Sequence, residues 1–260
     1  MIDSHAHLTL AKAPAAEQVA AARRVGVERI LTVGIDERSN GDAVRAAHEL
    51  DGVYACVGRH PNSAEGYDEE AAAAIERLAA DEAVRAIGET GLDYYRDSAS
   101  EEAQVRAFES QIGIARRVRL PLVIHLRDSS GPGSGRAVAD CFEMLAAEAE
   151  GIEVVLHCFS ATPERAEEAA DRGWHVSFAG NVTYPKSEGL RAAAALVPDP
   201  LLLVETDSPY LAPQPVRGRP NSPANVTFTA EAVAAARGIG YEQLDAIVSG
   251  NAARLFGWSD

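Results

Sequence analysis

At 260 residues the chain is the size of one catalytic domain and short for two. Its 39 acidic against 24 basic residues give a formal net charge of −15, the wrong sign for gripping long nucleic acid over the general surface, so any phosphate affinity has to be local. The opening Met1-Ile2-Asp3-Ser4-His5 has no basic leader, no apolar run approaches the roughly 20 residues that cross a bilayer, and the odd set Cys56, Cys141 and Cys158 forms no paired framework. A soluble cytoplasmic chain with buried thiols, no membrane contact and no obligate protein partner is expected.

Eight short runs rich in Val, Ile and Leu follow one another along the chain: Met1 to His7, Arg29 to Gly34, Val53 to Gly58, Val84 to Gly88, Leu120 to Leu126, Ile152 to Cys158, Trp174 to Phe178 and Leu201 to Thr206. Between them lie Ala-, Glu- and Arg-rich segments with apolar residues at helical spacing, as in Glu101 to Val118, where Val105, Phe108, Ile112 and Ala115 recur. Buried strands alternating with amphipathic helices predict a parallel sheet. Eight such units predict an α/β fold, a TIM (β/α)8 barrel with its active site at the C-terminal face. No linker or composition break divides the chain, so residues 1–260 are expected to form a single domain. Two loops are marked for the same face: Ser129 to Gly135, Gly- and Ser-rich, as a mobile rim, and the Pro- and Arg-rich Pro209 to Pro223.

Metal-ligand side chains stand at the ends of five of the runs. His5 and His7 are two apart on the first, so strand alternation points both imidazoles to one side. Glu89 follows Val84 to Gly88; it either bridges two ions through its two oxygens or pairs with a rim arginine. The only lysines, Lys12 and Lys186, lie outside the runs, so no carboxylated lysine can do the bridging and a carboxylate must. His125 and His157 each follow strongly apolar residues, where a lone histidine is more often a core residue; four histidines at strand ends make a ligand set the better reading. Cys158 is expected to point away from His157 by alternation, leaving nitrogen and oxygen ligands that admit Zn, Mn, Ni, Co or Mg.

Asp207 follows the eighth run and precedes Ser208-Pro209, an ordinary helix-start signal; Ser208 can serve as that cap, which leaves Asp207 free. Glu205 shares the strand face of Asp207 and either supports the site or pairs with an arginine. His60, in Gly58-Arg59-His60-Pro61, is read either as a substrate or phosphate contact or as a structural turn histidine. His48 is placed in a helix and His175 inside the seventh strand, and neither receives a role. Arg127, Arg217 and Arg219 are placed near the mouth, where they would add positive charge to that of the ions.

With these residues in hand, the chain resembles the TatD family of metal-dependent deoxyribonucleases, nearly end to end. The likeness rests on Asp3-Ser4-His5-Ala6-His7, Gly58-Arg59-His60-Pro61, Gly88-Glu89-Thr90-Gly91-Leu92-Asp93, Pro121 to His125, His157-Cys158-Phe159-Ser160, Glu205 to Leu211 and Asn251 to Phe256. By that resemblance His5, His7, Glu89 and Asp207 would hold one divalent ion, and Glu89, His125 and His157 a second. It also implies hydrolysis of DNA from the 3′ end, with single-stranded or short DNA ends as substrate, while some relatives remove D-amino acids from tRNA.

The expected mechanism is phosphodiester hydrolysis by a metal-activated water, with Asp207 taking its proton, Glu205 supporting it, and His60, Arg127 and Arg217 contacting substrate. The same ions could instead polarise a carbonyl, giving an acyl or amide hydrolase such as a D-aminoacyl-tRNA deacylase. A barrel that has lost catalysis and only binds is the third reading. The completeness of the ligand set argues against it, because unpaired charge at a buried strand end is unfavourable.

Overall fold

The computed structural model of the chain describes residues 1–129 and 135–258. Eight strands, β1 (Ile2–Ala6), β2 (Arg29–Val33), β3 (Val53–Val57), β4 (Val84–Asp93), β5 (Leu122–Arg127), β6 (Val154–Leu156), β7 (His175–Phe178) and β8 (Leu202–Val204), pair in parallel and in sequence order within one sheet. A helix follows each strand, and two, Val226–Arg237 and Tyr241–Phe256, follow β8. The architecture is the expected TIM barrel. No helix among the described residues is long and apolar enough to cross a membrane.

Local chemistry explains why the helices stop and start where they do. In Glu101–Val118 the Ser100 hydroxyl accepts the Ala103 N–H at 3.3 Å, acids occupy the first turn and Arg116 and Arg117 the last, and Arg119 closes the helix in the left-handed region at φ 58°. Its buried face carries Phe108, Ile112 and Ala115 into the core that holds the sheet, while Ala103 and Ala107 pack in a smaller cluster with Ala64, Ala99 and Tyr67. The strands are covered on both sides, so Leu31, Val33, Ala55, Val57, Ile87 and Leu122 lose all contact with water.

The sheet closes at the C-terminal end of the strands. Ala6 bridges Ser208 in parallel, the His7 N–H donates to the Ser208 carbonyl at 2.7 Å, and the Asp207 N–H donates to the His5 carbonyl at 2.9 Å. Asp3 ties the same seam from beneath: it accepts the Thr206 N–H at 2.9 Å and the Thr206 hydroxyl at 2.6 Å, while the Ser4 hydroxyl donates to the Val204 carbonyl at 3.0 Å. Asp3 and Ser4 thus hold the first strand to the last.

Three strand bounds differ from expectation. β4 runs on to Asp93, so Glu89 lies inside a strand and not at its end, and His125 is likewise within β5. β6 stops at Leu156, before His157. No helix begins at Pro209, and the buried Ser208 hydroxyl has no partner, so Ser208 is not a cap; residues 207–210 instead form a turn in which the Tyr210 N–H donates to the Asp207 carbonyl at 2.9 Å. The stretch 129–135 expected as a mobile rim lies, apart from its two end residues, outside the described residues.

Glu89 occupies a bulge. β4 and β5 pair Gly88 with Val123 and Thr90 with Ile124, so Glu89 is the one residue without a counterpart, the irregularity that re-aims a side chain. The glycines on either side make this possible: Gly88 and Gly91 sit at φ 147° and 134°, and a Cβ on Gly91 would lie 2.1 Å from the His125 carbonyl oxygen. Gly91→Ala should therefore destabilise the protein by roughly 2–3 kcal/mol, by overpacking and by a forbidden φ together. Urea unfolding of the variant beside wild type measures this, and an unchanged midpoint contradicts it.

Candidate metal centre

Glu89 is the hub of the C-terminal face. Its Oε1 lies 2.6 Å from His125 Nδ1, 2.7 Å from His157 Nε2 and 3.5 Å from His60 Nε2, while Oε2 lies 3.4 Å from His5 Nε2 and 3.5 Å from His7 Nε2. Five imidazoles from four separate strand regions thus surround one buried carboxylate. Asp207 completes the ring, with Oδ1 3.5 Å from His7 Nε2 and 3.9 Å from His5 Nε2. All six side chains expected to ligate metal are together, and three ligand-sized groups can be drawn among the described residues: His5, Glu89 and His157; His5, His7 and Asp207; His60, Glu89 and His125.

Hydrogen bonds from the outer side decide which nitrogen of each ring faces inward. His7 Nδ1–H donates to the Val33 carbonyl at 2.9 Å, leaving the Nε2 lone pair toward Asp207 and Glu89. His157 Nδ1–H donates to Glu205 at 3.1 Å, which turns Nε2 toward Glu89. His125 Nε2–H donates to Asp93 at 3.2 Å, leaving Nδ1 beside Glu89. His5 stacks on His157 at 3.9 Å between ring centroids, and its buried Nδ1 has no partner. Two carboxylates and imidazole nitrogens turned inward by outer acceptors, ready to serve as ligands once they give up their protons, are the chemistry of a divalent-cation site.

His60 meets the distances and fails on its tautomer. Its Nδ1 accepts the Asn62 N–H at 3.0 Å, so the neutral ring carries its proton on Nε2 and presents a donor to the centre, not a lone pair. Neutrality is enforced: burial, and after it the neighbouring His125 charge, pulls the His60 pKa down to about 3. Of the two roles expected of His60, the structural one is present, since its ring caps the Pro61–Ser63 turn, and its Nε2–H also faces the cavity, where a substrate contact would require a donor.

The charge balance follows from burial. Burial opposes the charge on Glu89, yet the imidazoles of His157 and His60 beside it and hydrogen bonds to His125 and His157 hold it well below the usual carboxylate range. Burial likewise opposes a charged His157, and Glu89 and Glu205 overcome it, raising that pKa well above the ordinary value. Its stacked neighbour His5 goes the other way, lowered by burial and by the His157 charge.

Other expected residues take different places. Glu205 is wholly buried behind His157, accepts the Cys158 N–H at 2.8 Å, and faces neither an arginine nor the cavity, so it positions His157 and does not touch substrate. Cys158 was expected to point away; with β6 already ended and φ at 46°, the alternation breaks and Cys158 lines the cavity beside His157, although it joins none of the three groups. Arg127 lines the cavity, its guanidinium 3.9 Å from the Tyr95 ring centroid. Arg217 is exposed and stacks 4.3 Å over Tyr184, away from the cavity lining.

Asp93 had no role in the sequence reading. It holds His125, takes the Asn62 side-chain N–H at 3.1 Å and the Tyr95 and Arg96 N–H groups at 3.0 and 3.1 Å, and is held down at about 2, burial notwithstanding, by His125 and these donors. The signal was present: Glu89, Gly91 and Asp93 are two apart on one strand, hence on one face. The cavity over these residues encloses about 1080 Å³, large for a small-molecule pocket.

A family model described as TatD related DNase matches residues 2–257. The chain is 36% identical over 259 residues to the uncharacterized metal-dependent hydrolase YabD of Bacillus subtilis (strain 168), with 98% of each chain covered. It is 34% identical over 246 residues to the 3'-5' ssDNA/RNA exonuclease TatD of Cronobacter sakazakii, covering 92% of this chain and 90% of that one. The crystal structure of YjjV, a TatD homolog from Escherichia coli K12, superposes with a TM-score of 0.90 at 24% identity over 100% of this chain and 98% of that one, a likeness of fold.

Two outcomes are expected from this geometry. Glu205→Gln, which loosens His157 without removing a ligand, should weaken divalent-metal binding by about 10-fold or more by titration calorimetry with Mn²⁺ or Zn²⁺; unchanged affinity contradicts the positioning role. For His60, the unfolded chain binds a proton below its ordinary value of 6.5 and the folded chain only near 3, so this residue makes stability rise with pH between the two. Urea unfolding in chelator at pH 5 and 6.5 should show a pH slope shallower in His60→Asn by up to about 1.4 kcal/mol per pH unit, and equal slopes contradict it.

Proposed function

Because the chain belongs to the TatD family of metal-dependent hydrolases, we propose that it hydrolyses phosphodiester bonds at the 3′ end of single-stranded nucleic acid. The observation that carries this reading is the pairing of a ligand-type cluster around Glu89 with arginines at the cavity mouth, Arg96 and Arg127, on a chain whose net charge is −15. Cationic contact is concentrated where a phosphodiester would enter, and the acidic remainder repels a long duplex. The exonuclease named among the relatives acts on single-stranded DNA and RNA, which agrees.

The residues assigned to metal are His5, His7, Glu89 and Asp207 for one ion and Glu89, His125 and His157 for the other, with Glu89 common to both. A bound divalent ion supplies Lewis acidity, which lowers the pKa of water from about 15.7 to about 7 in favourable sites. Asp207, lining the cavity, receives the proton of the attacking water; burial opposes its charge, but His7, His157 and His5 keep it ionised, with its pKa below the carboxylate norm. His60 offers Nε2–H, and Arg127 its guanidinium, to the phosphoryl oxygens as charge builds there. Glu205 and Asp93 fix the rings of His157 and His125 from behind. Neither a serine nor the cysteine in the cavity is needed as nucleophile: burial pushes the Cys158 thiol well above its usual pKa, with Asp207 and Glu205 adding to the rise, so it stays protonated.

Asp207→Asn should lower kcat on a 3′-labelled single-stranded oligonucleotide by about 100-fold or more with Mn²⁺ or Mg²⁺ present. Undiminished cleavage overturns the role of Asp207. Parallel assays on D-aminoacyl-tRNA and dipeptides test the substrate class: turnover of either, with none of the oligonucleotide, overturns the phosphodiester reading in favour of an acyl or amide hydrolase.

A further inference from the structure

Four large apolar or aromatic side chains stand out as exposed among the described residues, Val25, Tyr95, Leu196 and Tyr210, and both aromatics, 57% and 54% exposed, line the mouth of this one cavity. Neither belongs to the hydrolytic machinery assigned above. Each is linked to Glu89 through a different histidine. The Tyr210 ring stands edge-on to His7 at 5.9 Å between centroids, and His7 contacts Oε2. Tyr95 follows Asp93 by two residues, and Asp93 holds His125, which contacts Oε1.

Both rings are also held. The Tyr95 N–H is fixed by Asp93, and the Arg127 guanidinium rests on that ring at 3.9 Å. The Tyr210 N–H is fixed by the Asp207 carbonyl, and its own carbonyl accepts from Asn221 Nδ2 at 2.6 Å. Amphipathic rings on an anchored backbone, left half bare beside a polar cluster, are what a nucleobase needs as a stacking surface, and an arginine on one of them adds attraction for the adjoining phosphate.

We propose that Tyr95 and Tyr210 are the base-stacking residues of this site, one on each side of the scissile phosphate, so that the terminal nucleoside lies on one ring and the next nucleoside on the other. The assignment rests on the phosphodiester reading and deepens it. A phosphate seated over Glu89 carries a nucleoside in each direction, and the two rings line the same cavity along separate routes to Glu89, Tyr210 by way of His7 and Tyr95 by way of Asp93 and His125. A base can lie on either ring only after leaving its own stack, so the pair selects single strands, and it does so without reading sequence, because every base has a π face.

The test compares KM for three substrates in Mn²⁺: a single-stranded oligothymidylate, the same strand with the last two positions abasic, and bis(p-nitrophenyl) phosphate. Tyr95→Ala and Tyr210→Ala should each raise the oligothymidylate KM about 10-fold, within the usual range for a stacked base, and Tyr→Phe at either position should restore it. Wild type should lose about the product of the two factors, roughly 100-fold, on the abasic strand, where the alanine variants should lose little more than wild type does. Equal KM increases on intact and abasic strands, loss in kcat alone, or wild-type affinity for the abasic strand each overturn the stacking assignment, the last even where an alanine variant fails to fold. Wild type that cleaves neither the oligonucleotide nor the small diester overturns the phosphodiester reading and this assignment with it; wild type that cleaves both, with alanine variants unchanged in KM, overturns the stacking assignment alone.

Discussion

The site is organised by a carboxylate that cannot stand alone. Glu89 is buried at the centre of a parallel barrel, where an uncompensated charge would cost several kcal/mol. Five imidazoles lie within reach of it among the described residues, and four are turned by a partner behind them: Val33 for His7, Glu205 for His157, Asp93 for His125, Asn62 for His60. His5 has no such partner on Nδ1 and is placed by stacking on His157. A list of nearby histidines would have given five equivalent candidates; the outer partners set apart three whose outer nitrogen donates away from the centre and one, His60, whose outer nitrogen accepts.

The backbone meets this requirement in two places. On β4 a bulge and two left-handed glycines turn Glu89 inward while the strand continues to Asp93. At the seam, the first strand and the segment after the last are joined through Ala6, His7, Asp207 and Ser208, so barrel closure and assembly of the His5, His7 and Asp207 group are one event. Asp3 beneath it is pushed up to about 8 by burial in spite of its hydrogen bonds from Thr206, which marks how dry this junction is. Stability and site formation share these contacts.

Charge is distributed unevenly for a reason that suits the proposed substrate. A net charge of −15 disfavours polyanions in general, while Arg96 and Arg127 line the one cavity that holds the ligand-type cluster, where a divalent ion would add positive charge among its carboxylates. Such an arrangement suits the chain end proposed as substrate better than a long duplex laid across the surface. Arg217, although basic and near in sequence to the rim, rests on Tyr184 and contributes no wall to the cavity.

Much of this was visible along the chain itself, because it depends on composition and period. Runs of β-branched and aliphatic residues separated by helical spacing can be satisfied only by strands covered on both faces, and eight of them by a closed barrel. Ligand-type residues at the ends of those runs, His5 and His7, His125, His157 and Asp207, then meet at one rim whatever the details. Periodicity carries no information about where it fails. The bulge at Glu89, the left-handed turn that brings Cys158 into the cavity, and the tautomer that makes His60 a donor each arise from pairings between residues distant along the chain, as do the seam bonds of Asp3 and the buried place of Glu205. Hydrogen-bond partners across a barrel exist only once it has closed, and for that reason the three-dimensional fold alone decided which side chains turn toward Glu89, which hold them from behind, and which line the cavity.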